Sequence, residues 1–217
     1  MANEMTITFP SGELTLEGVL SLPQGRGPFP GVVICHPHPL MGGTMDNNVV
    51  TEIASALSRR NIAVLRFNFR GVRGSQGSFG EGVGETADAL AAVSFLSSQR
   101  GVNPNALAIV GYSFGAAVAL SAAAKRDSLR GAAAISPPIS FFPLDFLKDY
   151  HRPVLFLCGS RDHIVQAEDL RELVKGLPGP QKLAVVPGAD HFWWGQEESM
   201  AGEVADFLVD ILVTESV

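Results

Sequence analysis

The sequence predicts an α/β fold built on a mostly parallel, doubly wound sheet of about eight strands, with helices on both faces. Three observations carry this. Short apolar runs at Gly31 to Cys35, Ile62 to Phe67, Leu107 to Val110, Ala132 to Ile135, Pro153 to Cys158 and Leu183 to Val186 show no polar alternation. Such runs are what parallel strands look like when both faces are covered. Helix-period stretches lie between them, and the N-terminal segment alone alternates apolar with polar.

In chain order, Met5 to Phe9 and Glu13 to Leu22 read as strands joined at the turn signal Pro10-Ser11-Gly12. Their alternation, with a slip at Gly18, predicts an antiparallel hairpin at a half-exposed edge. Pro23 to Pro30 is loop. Helices are expected over Asp46 to Arg59, where Val49, Val50, Ile53, Ala54 and Leu57 share a face, and over Glu85 to Gln99 through Ala89, Leu90, Val93 and Leu96. Phe114 to Ala124 is small and apolar all round, which predicts a buried helix. Ala167 to Leu177 and Gly202 to Val213 complete the set.

The chain has 217 residues, 46% hydrophobic and 18% charged. That composition excludes disorder as the main state and allows a large core without staples. One domain spanning residues 1–217 is expected, with no repeat or long linker. Acidic residues outnumber basic ones, 22 to 16, giving a net charge of −6. No basic stripe for nucleic acid is visible. Mean hydropathy is +0.20, yet the run Gly115 to Ala124 is half of what a membrane span needs. Met1 to Met5 lacks the basic-then-apolar pattern of a signal peptide. Two cysteines cannot make a disulfide framework, so a reducing, cytoplasmic setting is expected. Cys35 and Cys158 end buried strands that are not expected to be neighbours, and read as structural thiols.

Gly111-Tyr112-Ser113-Phe114-Gly115 matches Gly-x-Ser-x-Gly, directly after one apolar run and directly before a helix. In that setting Ser113 sits in a tight strand-to-helix turn that projects its hydroxyl from the sheet. Bulky neighbours two residues away on either side would collide with the turn. The helix behind it aims free N–H groups at an anion formed by acyl transfer.

A serine hydroxyl needs a general base, and the base needs an orienting carboxylate. Both should lie on loops at the carboxyl ends of later strands. Asp162 follows Pro153 to Cys158, and His191 follows Leu183 to Val186 in the equivalent loop one strand later. Ser113, Asp162 and His191 are therefore the candidate nucleophile, acid and base. Asp190 would point away from His191, and His163 is expected to face solvent or pack locally.

Cys35-His36-Pro37-His38-Pro39-Leu40 follows the first parallel strand and should supply the second oxyanion donor. Pro37 and Pro39 have no N–H, whereas His38 and Leu40 do. The backbone N–H groups of His38 and Phe114 are the expected oxyanion hole. His36-x-His38 could also be read as a metal pair, but no further ligand is near in sequence, so no metal and no cofactor are expected. His36 is assigned a structural hydrogen bond beneath the loop.

Together, His36-Pro-His-Pro39, Gly42-Gly-Thr-Met-Asp46-Asn47, Arg66-Phe-Asn-Phe-Arg-Gly71, Gly111-Tyr-Ser-Phe-Gly115, Gly159-Ser-Arg-Asp162 and Gly188-Ala-Asp-His191 resemble the α/β-hydrolase superfamily. The likeness is to its small members, dienelactone hydrolases and short bacterial carboxylesterase-like proteins, and spans nearly the whole chain. The resemblance implies Ser113, Asp162 and His191 as the triad, in agreement with the placement above. Dienelactone hydrolases carry a cysteine at the nucleophile position, so lactone specificity is not carried over to Ser113.

Larger hydrolases insert a lid before the acid-bearing strand. Ser136 to Arg152 is too short for a cap domain, so an open site is expected. Leu40, Phe141, Phe142, Phe192 and Trp193 are the candidate pocket residues. Phe141 and Phe142 read equally as closing the core. The loop from Arg70 to Gly84 reads as a solvated turn region that could also meet a charged group. The expected activity is hydrolysis of small, accessible carboxylic esters or thioesters through an acyl-enzyme. An acyltransferase or peptidase using the same residues, and a non-catalytic binding module, are the competing readings. Oligomeric state is left open.

Overall fold

A computed structural model describes residues 3–213. The first two residues of the Met1 to Met5 start lie outside the described residues. Eight strands form one sheet: β1 (Asn3–Ser11), β2 (Leu14–Leu22), β3 (Phe29–Cys35), β4 (Ala63–Phe67), β5 (Val102–Tyr112), β6 (Leu129–Ile135), β7 (Val154–Gly159) and β8 (Gln181–Val186). Their spatial order is β1-β2-β4-β3-β5-β6-β7-β8. The expected hairpin is present: β1 pairs antiparallel with β2, and β2 antiparallel with β4. Every other pairing is parallel. The slip at Gly18 has a steric cause. A Cβ there would come within 2.9 Å of the Arg66 carbonyl oxygen on β4.

Among the described residues, five helices cover the sheet: α1 (Asn48–Arg59), α2 (Val83–Ser97), α3 (Phe114–Lys125), α4 (Ala167–Lys175) and α5 (Glu197–Val213). Val33, Cys35, Leu65, Ile109, Phe156 and Cys158 face the core under α2, α3 and α4. Val32, Ile34, Val64, Val110, Leu155 and Leu157 face the core under α1 and α5. Successive side chains thus enter opposite cores, which is why these strands read as unbroken apolar runs.

Several boundaries differ from expectation. α1 starts at Asn48, because the Asn47 side chain caps it by accepting the Val49 N–H at 3.0 Å. α5 starts five residues before Gly202; its first turn is Glu197-Glu198-Ser199, acidic at the positive end of the helix dipole and without an apolar stripe to read. β5 begins at Val102, ahead of the apolar run: Val102 pairs with Phe29 of β3, and the following residues up to Asn105 lie in a register irregularity and are partly exposed, so they carry no apolar pattern.

The chain passes from β3 outward to β4, then back across to β5, so β3 and β5 flank the point where the winding reverses. Ligands bind outside the strand ends at such a point. The β3 loop carries His38, and the β5 turn carries Ser113. Between β6 and β7 the only regular element among the described residues is a short 3₁₀ turn, Asp145–Asp149. Among the described residues, no helix is long and apolar enough to cross a membrane. Cys35 and Cys158 are both buried and free, on strands separated by β5 and β6.

Candidate active site

Ser113 is the N-cap of α3 and holds φ +54°, ψ −123°, outside the range non-glycine residues favour. Its N–H donates to the Ile135 carbonyl at 2.8 Å, which ties the turn to the end of β6. The two glycines of the motif are dictated by space. A Cβ on Gly111 would collide with the Gly115 carbonyl, and one on Gly115 with the Cys35 and His36 carbonyls. The first turn of α3 therefore rests directly on the β3 loop.

Three loops converge here. Ser113 Oγ lies 3.1 Å from His191 Nε2. His191 Nδ1 lies 2.9 and 3.1 Å from the two oxygens of Asp162. The Asp162 side chain is fully buried and His191 nearly so. Asp162 Oδ1 also accepts the N–H groups of Ile164 at 2.9 Å and Val165 at 2.8 Å. Burial acts to raise this carboxyl, but hydrogen bonds from His191 and the Val165 N–H outweigh it and hold the group below the usual carboxylate range. An ionised Asp162 only accepts, so Nδ1 of neutral His191 carries the proton and Nε2 is left to accept from Ser113. The Tyr112 hydroxyl donates to the His191 carbonyl at 2.7 Å and fixes the loop from below.

Phe114 opens α3, so its N–H has no intrahelical acceptor. The His38 ring packs on the Phe114 ring, with centroids 4.8 Å apart. The Leu40 N–H is taken: it donates to His38 Nδ1 at 3.2 Å. Partial burial lowers the pKa of His38, keeping that acceptor available. The metal reading of His36-x-His38 finds no support in the hydrogen bonds. His36 is fully buried, with Nδ1 2.6 Å from the Pro37 carbonyl and Nε2 accepting the Phe69 N–H at 3.0 Å. Both ring nitrogens are thus used, as the structural reading expects. No group of three potential metal ligands occurs among the described residues.

The five candidate pocket residues are not brought together. Leu40, Phe141 and Phe192 are exposed around the strand ends. Phe142 is half-buried, its ring edge-on to Phe114 at 5.4 Å. It lines a cavity of about 470 Å³ with Phe114, Ala117, Val118 and Leu144. Trp193 requires a correction: its side chain is 0% exposed, in the core under α1 and α5, with its indole N–H donating to Ser136 Oγ at 3.2 Å. It supports the loop carrying His191 from within that core. Asp190 indeed turns from His191 and accepts the N–H groups of Phe192 and Trp193 at 2.9 and 3.0 Å.

The loop after Arg70 is anchored more firmly than its glycines imply. The fully buried Asp88 carboxylate accepts two hydrogen bonds from the Arg70 side chain at 2.8 and 3.0 Å, one from the Arg70 N–H at 3.0 Å, and the Ser11 hydroxyl at 2.7 Å. Glu85 accepts the Gly80 and Gly82 N–H groups, both at 2.8 Å. This holds Phe79 against His38, ring centroids 4.9 Å apart. Sequence reading did not single out Ser136, Tyr112, Glu85 or Asp88. A polar residue at the carboxyl end of a buried strand, as Ser136 is, was the available signal.

Comparison with known proteins agrees with the fold. Residues 79–207 match the dienelactone hydrolase family profile. An uncharacterized protein of Rickettsia prowazekii is 38% identical over 192 residues, covering 84% of this chain and 79% of that protein. An α/β serine hydrolase homologue from Coxiella burnetii superposes with a TM-score of 0.85 at 30% identity, covering 96% of this chain and 98% of that one. A Xanthomonas campestris α/β serine hydrolase described as lacking a lid gives 0.81 at 32% identity, covering 96% and 94%.

Proposed function

This chain belongs to the dienelactone hydrolase family within the α/β hydrolases, and from that premise we propose that it is a serine carboxylesterase using Ser113, His191 and Asp162. The observation that carries this reading is the unbroken relay from Ser113 Oγ to His191 Nε2 at 3.1 Å and from His191 Nδ1 to Asp162 at 2.9 Å.

His191 Nε2 takes the Ser113 proton as Oγ attacks the ester or thioester carbonyl. The N–H groups of His38 and Phe114 hold the oxyanion. The tetrahedral adduct collapses, the C–O or C–S bond breaks, and the leaving alcohol or thiol takes the proton from His191. Water then attacks the acyl-enzyme and gives its proton to His191. The second adduct expels Ser113 Oγ, which recovers that proton, and the carboxylic acid leaves. Asp162 stays ionised throughout and orients the ring. The exposed Leu40, Phe141 and Phe192 leave the mouth uncovered, in keeping with small or accessible esters. The cavity bounded by Phe142 and Phe114 runs along α3 from the residue after Ser113, and is the space we assign to an acyl chain.

The test is a graded series of acyl esters together with a serine-directed phosphonate. Wild type should turn over the esters and become labelled at Ser113, whereas Ser113→Ala should do neither while keeping its circular dichroism. A Ser113→Ala protein with full esterase activity overturns the assignment.

A further inference from the structure

Large exposed hydrophobic side chains are not scattered evenly over this chain. Among the described residues ten are exposed. Six of them, Leu40, Met41, Phe141, Ile164, Phe192 and Trp194, lie within eight residues of the carboxyl end of β3, β6, β7 or β8. Met41 is 86% exposed, Leu40 72%, and Phe141 and Trp194 71% each. Apolar side chains gathered in water at one place mark a surface that meets something apolar.

These side chains ring the candidate triad. β3 and β6 flank β5, whose turn carries Ser113. On the β3 side, Leu40 gives its N–H to His38, and the His38 ring packs on Phe114, the residue after Ser113. On the β6 side, Phe142 follows Phe141 and lies edge-on to Phe114. The Phe192 ring is edge-on to His191 at 5.8 Å, and Ile164 gives its N–H to Asp162. Charge is kept out of most of this rim. Residues 37–45, 136–144 and 191–196 hold no Asp, Glu, Lys or Arg, in a chain that is 18% charged with a net charge of −6. The loop after β7 adds Arg161 and His163 beside Ile164.

We propose that this rim seats on the surface of a neutral, water-insoluble ester, and that Ser113 draws its substrate from that surface. A protein partner or a second copy of the chain seated there would cover Ser113 and keep substrate out, whereas an ester surface is itself the substrate. Loops without charge give up no ion solvation on entering it, and offer no attraction to an anionic headgroup layer. Trp194 brings an aromatic ring with a polar N–H, a combination that suits an apolar–water boundary. The chemistry rests on the esterase reading, whereas adsorption does not need Ser113.

The test uses a trioctanoin emulsion. Trp193 is fully buried and Trp194 exposed, so a blue shift of emission on adding emulsion reports Trp194 leaving water. Ser113→Ala, which leaves the ester intact, should float with the droplets and show that shift equally at about 0.05 and about 0.5 M NaCl, because apolar contact is not screened. Combining Met41→Ser with Trp194→Ser should raise the emulsion concentration for half-adsorption by about tenfold or more, since two apolar side chains no longer leave water. Trioctanoin hydrolysis should fall about as far, while kcat/KM on dissolved p-nitrophenyl acetate stays within about twofold. Met5→Ser on β1 removes an exposed apolar side chain elsewhere and should change neither. The proposal is overturned if Ser113→Ala does not float, if the higher salt releases it, or if the double variant matches wild type in adsorption. It is also overturned if wild type sediments as a dimer that the double variant dissociates, which would give the rim to a second copy. Hydrolysis of dissolved esters without adsorption sinks the surface and leaves the esterase reading. A floating Ser113→Ala that still hydrolyses the ester sinks the triad reading and leaves the rim as an adsorbing surface.

Discussion

Ser113 and His191 lie 78 positions apart in sequence, yet Oγ and Nε2 are 3.1 Å apart. The distance is set by the sheet. β5 and β8 end on the same side, with β6 and β7 between them, and the His191 carbonyl is held by the hydroxyl of Tyr112, the residue before the serine. Ser113 and His191 are thus fixed to each other through the backbone as well as through the ring.

Asp162→Asn should leave the fold intact and reduce kcat by about 10⁴-fold. The amide oxygen can still accept the Ile164 and Val165 N–H groups that now go to Oδ1. The amide NH₂ would then face His191 Nδ1, which must become the acceptor. Nε2 would carry the proton and could not take one from Ser113. Steady-state kinetics with a melting curve checks this, and an active variant would place the orienting carboxylate elsewhere.

Gly115→Ala should destabilise the protein by about 3–5 kcal/mol or prevent folding, because the new methyl meets the Cys35 and His36 carbonyls, backbone atoms that no rotamer change can move. Gly202→Ala is the control. Its Cβ meets nothing within 4 Å, and alanine should stabilise α5 by about 0.5–1 kcal/mol. Urea unfolding of the two variants separates a packing requirement from a generic effect of replacing glycine.

The fold and the relay were legible because each rests on a local pattern. Unbroken apolar runs mark strands buried on both faces, and Gly111-x-Ser113-x-Gly115, Asp162 and His191 each follow such a run. Trp193 departs from the pocket expectation for a physical reason. Position two residues after His191 says nothing of which way a side chain turns, and with a φ of +63° this one turns into the core. Asp88 carries no local signal because its partners, Arg70 and Ser11, are distant in sequence, and Ser136 shows only its place at the end of a buried strand, its partner Trp193 being 57 positions away. Pocket lining is the least legible part, since the candidate side chains come from three separate loops, after β3, β6 and β8.

The protein should lose stability as pH falls from about 6.5 towards 4. Burial lowers His36 from 6.5 to about 4, partly opposed by its hydrogen bond to the Pro37 carbonyl. Between those values the unfolded chain binds a proton that the folded chain does not, so stability rises with pH across the window. The contribution is complete above about 6.5 and gone once the folded ring itself protonates near 4. At about 1.4 kcal/mol for each tenfold difference in proton affinity, up to about 3 kcal/mol is involved. Urea midpoints at pH 7 and pH 5 measure it. His36→Gln should flatten that slope, and an unchanged slope would assign the effect to other groups.

Acyl-chain preference should respond to the cavity beside Phe114. Ser121 lies two turns along α3 from the nucleophile and lines the end of that cavity away from it. Its side chain is only half-buried, so Ser121→Phe adds bulk where the structure has room. Acetyl esters should keep their kcat/KM. Octanoyl esters should lose about tenfold, which is the loss of burial of roughly two methylene groups at about 0.8 kcal/mol each. Phe142→Ala removes a wall of the same cavity and should move preference the other way, towards longer or branched acyl groups. A uniform change across the chain-length series in both variants would mean that the acyl group leaves Ser113 in another direction, over the exposed Leu40 and Phe192.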